Sequence, residues 1–215
     1  MSSLREAWWA ANNQALSLPP MESKEKLINL TQLYLQKFPM EQERCREFLA
    51  YLHRNETPDL YTRKNFDGHI TASVFVISSD KSKVLLVHHK ILSRWLQPGG
   101  HIEEQRDKTI YLAALRECLE ETGIESKNLQ SVNETSIPFD IDSHRIPANA
   151  KKQEAAHYHH DFRYLFVYKG EAEISIAEDE SNAFTWRPLS ELGADKDFEL
   201  VSEKINLALQ AEQPS

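Results

Sequence analysis

Glu117, Glu120 and Glu121 stand at i, i+3 and i+4 in the run Leu112-Ala113-Ala114-Leu115-Arg116-Glu117-Cys118-Leu119-Glu120-Glu121-Thr122-Gly123-Ile124. On a helix that spacing projects the three carboxylates from one side, within reach of one another. Like charges so placed destabilise a helix by about 0.2–0.5 kcal/mol per pair. No Lys follows four residues after any of them to offset this. A hard divalent cation would neutralise the group: Mg²⁺ takes oxygen ligands, keeps several waters, and is shared between one or two carboxylates and the phosphates of a substrate. The alternative is a solvated acidic helix face.

The element that must position these groups is an amphipathic helix with Leu112, Leu115 and Leu119 on its buried face. Ahead of it, Gly99-Gly100-His101-Ile102-Glu103 predicts a tight glycine turn, and Asp107 is the expected N-cap. The run from about 99 to 124 resembles the signature of Nudix hydrolases, a glycine loop followed by a helix carrying Arg-Glu-x-x-Glu-Glu-x-Gly. The helical half is complete in Arg116, Glu117, Glu120, Glu121 and Gly123, closed by the apolar Ile124. The loop half departs from the commonest form. Gln105 and Arg106 stand where a Gly and then a Glu are expected, and two more residues than usual separate Gly100 from Arg116. A longer loop ending in Asp107-Lys108-Thr109-Ile110 is similar to one bacterial branch of the family.

Composition narrows the function classes. A chain of 215 residues allows one ordinary domain with an appendage, or two small domains. A net charge of -8 supplies no basic stripe for a nucleic acid polymer and no polybasic membrane patch. A polyphosphate would then be held by local Lys or Arg and a metal. Two cysteines, Cys45 and Cys118, are too few for a disulfide framework and suit a reducing compartment. No apolar stretch has the length of a signal peptide or of a membrane span, so a cytoplasmic soluble protein is expected.

Residues 1 to about 60 read as helical. Leu27, Leu30 and Tyr34 keep helical spacing, as do Cys45, Phe48, Leu49 and Leu52, with Pro19-Pro20 and Pro39 as punctuation. Trp8 and Trp9 either pack or stack on a base. From Gly68 the pattern turns to strands: His69–Ile77, a polar turn at Ser78–Lys83, then Val84–Val87, an antiparallel hairpin. His88 and His89 beside Lys90 either touch phosphate or are simply exposed. His101, after the glycines, is a candidate contact.

Beyond the helix, Leu129–Ile137 can form a strand, and Ala148–Ala156 is a loop. Asp140, Asp142 and His144 alternate. So do His157, His159, Asp161 and Arg163, which a strand would turn to one face. Substrate or phosphate contacts, a solvated strand face and a dedicated metal site all fit that cluster. Arg163 is the natural phosphate partner because its planar fork binds bidentately. Glu171–Ile176 reads as a last strand, followed by the acidic run Glu178-Asp179-Glu180. Then come Trp186-Arg187-Pro188-Leu189-Ser190-Glu191-Leu192 and a packing helix over Lys196–Gln210 with Phe198, Val201, Ile205 and Leu209 on one face.

The resemblance covers about residues 68 to 193. It implies an α/β fold, a Nudix α/β/α sandwich with a mixed sheet, in a domain spanning 66–215 behind a helical N-terminal segment at 1–65. The implied activity is a metal-dependent pyrophosphohydrolase cleaving a nucleoside diphosphate linked to another moiety, such as a nucleotide sugar or ADP-ribose, by water attack on phosphorus. Phosphoryl-type transfer asks for charge neutralisation and positioning more than covalent chemistry. Glu117, Glu120 and Glu121 are then the ligands of Mg²⁺, with Mn²⁺ as a substitute and the Gly100 carbonyl as a further ligand. Glu120 or Glu121 takes the proton of the water. Arg116 orients the carboxylates, or forms an ordinary surface ion pair. His101, His159, Asp161 and Arg163 are the expected substrate contacts. Glu180 is a further candidate ligand or base. A Nudix-fold isomerase would need a reactive cysteine, for which Cys118 is poorly placed, and a non-catalytic nucleotide-binding regulator is the other alternative. The implied partner is a small-molecule nucleotide, with no membrane, and homodimers are common in the family. Substrate selectivity is expected in loops such as 138–160.

Overall fold

The computed structural model describes residues 21–90, 92–132, 137–149, 153–170 and 181–211. Trp8, Trp9, Pro19-Pro20, the strand expected at Glu171–Ile176 and the acidic run 178–180 lie outside the described residues. The first helix, α1 (Lys24–Lys37), starts where the Ser23 side chain accepts the Lys26 N–H. Leu27, Thr31 and Tyr34 form its buried stripe. Pro39 opens a single 3₁₀ turn, Pro39–Glu41, and α2 (Gln42–Arg54) follows, burying Cys45, Phe48, Tyr51 and Leu52. The spacing of those residues is helical, so one face turns inward and the charged residues stay in water.

The strands are β1 (His69–Ile77), β2 (Lys83–His89), β3 (Arg94–Leu96), β4 (Gly99–His101), β5 (Leu129–Ser131), β6 (Asp140–Ile146), β7 (His157–Tyr168) and β8 (Ser181–Pro188). They form one mixed sheet in the order β3-β2-β1-β7-β5, with β4 paired to β1, β6 to β7 and β8 to β2. β1 is buried along its whole length, and its β-branched, apolar composition suits a strand covered on both faces. It turns antiparallel into β2, with Ile77 opposite Val84. β2 also pairs antiparallel with β8, Leu85 opposite Trp186. β7 pairs with β5, Leu129 opposite Tyr168.

Three expectations change. Gly99–His101 is not a turn but the short strand β4; the reversal comes later, where the Asp107 carboxylate accepts the Glu103 N–H at 2.8 Å. The strand beginning at Leu129 ends at Ser131. Part of the stretch read as the 138–160 loop is the strand β6, because backbone pairing with β7 recruits its polar residues. Trp186 lies in the strand β8, and the Pro-Leu-x-Glu-Leu segment after it forms the short helix α4 (Leu189–Leu192) as its sequence suggests.

The chain divides into two compact units. One comprises the chain up to Ala72, Gly100–Ala113 and Ile141–Phe162; the other comprises Ser73–Gly99, Ala114–Asp140 and Arg163 onward. In the first, α2 packs on the start of β7: Phe48 meets Phe162 edge-on at 5.4 Å, and Tyr51 lies over His160 at 4.3 Å. The core of the second joins Phe75, Ile77, Val84, Leu86, Leu165 and Val167 to the final helix α5 (Glu199–Ala211). Phe198, Val201, Ile205 and Leu209 are buried there, as their spacing predicts. Each such side chain contributes about 1.5–3 kcal/mol of transfer free energy.

Candidate active site

The acidic triad sits on α3 (Ile110–Thr122). The helix begins at Ile110, so the capping position is Thr109 rather than Asp107. The Thr109 hydroxyl accepts the Leu112 N–H at 3.1 Å, and its carbonyl accepts the Ala113 N–H. A second acceptor comes from far back in the chain: the buried carboxylate of Glu22 takes the Ile110 N–H at 3.2 Å. Both satisfy donors that a helix start leaves open. At the other end Gly123 adopts φ 71°, the left-handed conformation that closes a helix and that a Cβ disfavours. Its N–H donates to the Leu119 carbonyl.

α3 is not amphipathic in the ordinary sense, since residues 113–119 are all buried and Leu112 is only half-buried. The charge of its acidic side is met by Arg116, whose side chain is 1% exposed. One guanidinium nitrogen, Nη1, donates to Glu117 Oε1 at 2.9 Å and to Glu120 Oε2 at 3.0 Å. Arg116 is therefore no surface ion pair. The third carboxylate, Glu121, accepts the Gly99 backbone N–H through Oε2 at 3.0 Å. The donor set is all oxygen, buried and anionic, which suits a hard cation. Cys118, between the carboxylates in sequence, is fully buried, and burial pushes its thiol up to about 12. It offers no nucleophile.

β7 carries the second polar group. Asp161 is buried and accepts the Thr71 hydroxyl at 3.0 Å. Arg163 is buried too, and its Nη1 donates to Asp140 at 3.2 Å; Asp140 also accepts Lys204 Nζ at 2.8 Å. His159 is surrounded by imidazoles. Its ring centroid lies 4.6 Å from His69, 5.2 Å from His157, 5.3 Å from His101 and 5.7 Å from His144. Burial, reinforced by the neighbouring rings, holds the His159 imidazole well below the usual histidine range. Burial likewise takes His69 down to about 4 and His160 to about 3. His160 belongs to the opposite face of the strand, where Ser143 Oγ lies 2.8 Å from its Nδ1.

A NUDIX domain model matches residues 67–208. The chain belongs to the Nudix family. As a Nudix protein it is a hydrolase acting on diphosphate bonds. It is 30% identical over 157 residues to a probable DHNTP pyrophosphohydrolase of Lactococcus lactis subsp. cremoris, covering 73% of this chain and 76% of that one. It is 35% identical over 105 residues to the RNA pyrophosphohydrolase of Rhizobium meliloti, covering 46% of this chain and 60% of the relative. The fold is shared with the Escherichia coli dihydroneopterin triphosphate pyrophosphohydrolase, at TM-score 0.50 and 17% identity over 63% of this chain and 92% of that one.

Of the residues expected at the Nudix site, the structure groups Arg116 with Glu117 and Glu120, and Glu121 with Gly99 beside Gly100. It groups His101 and His159 with further histidines. Asp161 and Arg163 are engaged by Thr71 and Asp140 within the fold. Sequence reasoning missed His69, Glu22 and Lys204. Each has its partner far away in sequence: His69 meets His157 and His159, Glu22 meets Ile110, and Lys204 meets Asp140. The single signal for His69 was a histidine heading a β-branched run. His88 packs edge-on against Trp95 at 5.1 Å, and the His89 ring accepts the Leu92 N–H, so both serve the β2–β3 connection.

Proposed function

We propose that this Nudix hydrolase is a Mg²⁺-dependent pyrophosphohydrolase of a small nucleotide, cleaving a nucleoside diphosphate linked to another moiety by water attack on phosphorus. In this reading Glu117, Glu120, Glu121 and the Gly100 carbonyl hold the metal, with Mn²⁺ as a substitute. The observation that carries it is the buried carboxylate group on α3, held by one Arg116 nitrogen and the Gly99 N–H. Hard, buried oxygen donors fit a hard dication. When bound, that ion supplies charge neutralisation at the diphosphate and a lowered pKa for water.

The protein's own part is positional. Arg116 fixes Glu117 and Glu120 relative to one another, so little side-chain freedom is left to lose when substrate arrives. Glu121 is fixed by the strand β4 through Gly99. Glu120, the more accessible of the two base candidates, takes the proton of the attacking water. In this reading His101, His159, Asp161 and Arg163 are the substrate contacts, with Asp161 also accepting the Thr71 hydroxyl and Arg163 also donating to Asp140. In this reading the domain boundary falls near residue 65, with α1 and α2 ahead of the domain. Among the described residues no helix is long and apolar enough to cross a membrane. The cytoplasmic location in this reading rests on the two cysteines, too few for a disulfide framework.

The test is Mg²⁺-dependent product release from nucleotide sugars, ADP-ribose, dinucleoside polyphosphates, nucleoside triphosphates and dihydroneopterin triphosphate, the last suggested by the Lactococcus relative's name. Turnover of one class is expected, with Glu120→Gln reducing kcat by about 10²–10⁴, the range for loss of a positioned base. Gln keeps the shape and an acceptor for Arg116, so the variant should retain its melting temperature. Tight binding of a compound with no turnover by the native protein would sink the hydrolytic reading.

A further inference from the structure

His69 opens β1, and His157 and His159 stand two apart at the start of β7. The ligand nitrogens the three offer all lie within 4.8 Å of one another. Nδ1 of His157 is 2.8 Å from the Ala155 carbonyl, and Nδ1 of His69 is 3.5 Å from the Asn65 carbonyl. A ring nitrogen facing a carbonyl must be the N–H, which leaves the lone pair on Nε2. Metal-ligating histidines are held in this way, with the other ring N–H on a backbone carbonyl.

The Nε2 atoms of His157 and His159 are 3.3 Å apart. That is about the edge of a tetrahedron whose centre lies ~2.0–2.1 Å from each nitrogen, the usual Zn–N distance. A hydrogen bond between the two rings would account for this one distance. It would leave unexplained the Nε2 of His69, a residue only 1% exposed whose Nε2 has no hydrogen-bond partner. A buried lone pair left without a donor is unfavourable, and natural structures avoid it. A cation between the three rings would give all three nitrogens a partner once the set, now within 4.8 Å, closes toward the 3.3 Å spacing of His157 and His159.

We propose that His69, His157 and His159 form a transition-metal site, taking Zn²⁺ in preference to Mg²⁺. Imidazole nitrogen suits Zn²⁺, Cu²⁺, Fe²⁺ or Ni²⁺, whereas Mg²⁺ favours oxygen. The site therefore sorts metals differently from the carboxylates of α3 and does not depend on the diphosphate reading. His101 and His144 neighbour His159 and are the nearest further imidazoles; His144 is 42% exposed, with Nδ1 on Asp142 at 2.9 Å. One of them, or water, completes a fourth position.

The full-length protein is stripped with a chelator and titrated with Zn²⁺ by calorimetry, and retained zinc is counted after gel filtration. The wild type, His159→Asn, His157→Asn and the triple variant Glu117→Gln/Glu120→Gln/Glu121→Gln are compared, their metal-free melts serving as the folding control. One equivalent of zinc is expected in the wild type and the triple variant and is expected to be lost in both histidine variants. Zinc retained by the histidine variants, or lost with the carboxylates, overturns the proposal. A measurement without mutation guards against misfolding: Zn²⁺ should protect His159 of the wild type from diethyl pyrocarbonate, read by peptide mass spectrometry. Equal modification with and without Zn²⁺ overturns it as well.

Discussion

A guanidinium that is 1% exposed tolerates burial only when its charge is matched, and Arg116 is matched twice on a single nitrogen. Removing it strands buried carboxylates, and breaking a buried pair in this way costs about 3–5 kcal/mol. Arg116→Ala in metal-free buffer should therefore lower the urea midpoint by that equivalent, with Arg116→Lys retaining part of it. Addition of Mg²⁺ should restore stability to Arg116→Ala more than to the wild type, because the cation replaces the lost charge. Glu22 gives a pH signature of opposite origin. Burial raises its carboxyl above the usual range, against the lowering by its own backbone, Lys26 and the Ile110 N–H. The folded state thus binds the Glu22 proton more readily than the unfolded chain, so wild-type stability falls as pH rises above about 4.5 through the raised value. Glu22→Gln, which keeps the acceptor for Ile110, should be the more stable protein at pH 7 by denaturant midpoint. That advantage should shrink on lowering the pH to 4; an advantage unchanged with pH would mean that charge burial is not the cause.

At the scale of the element, α3 depends on its two ends. Thr109→Ala removes the hydroxyl that accepts the Leu112 N–H and should cost about 1 kcal/mol. Gly123→Ala forces a Cβ into the left-handed region and should cost about 1–2 kcal/mol. Both are read from thermal melts. Glu120 and Glu121 lie in the last turn of α3, and a frayed helix end loosens the residues that Arg116 aligns, so kcat is expected to fall further than the stability loss alone dictates. Gly68 plays the corresponding part for β1. Its φ is +155°, and a Cβ there would lie 3.0 Å from the Tyr158 carbonyl and from His160 Nε2. Close approach of two backbones needs the missing side chain, and His69 is the next residue along.

For the whole molecule, the two units each contain one thiol, Cys45 in the first and Cys118 in the second, both buried. β1, β7 and α3 each contribute residues to both units. With elements that run through both units, a single cooperative unfolding transition is expected. The two thiols should be silent to a disulfide reagent in native buffer and become reactive at one common urea concentration. Separate midpoints for Cys45 and Cys118 would show that the units open independently.

The legibility of this protein follows sequence distance. The carboxylates of α3, Arg116 and the closing Gly123 lie within two turns of one helix, so their spacing already states their geometry, and the hairpin of β1 and β2 is equally local. The helical N-terminal segment and the buried stripe Phe198, Val201, Ile205 and Leu209 were readable for the same reason. Tertiary structure decided what lay beyond a turn or two. It buried the acidic side of α3 as well as its apolar side, and it made Gly99–His101 a strand by pairing it with β1. It recruited β8 against β2 and brought Glu22 to a helix start 88 residues away. It also set His69 beside His157 and His159, a meeting that no periodicity encodes, because a sheet pairs strands by register and burial rather than by their order in the chain.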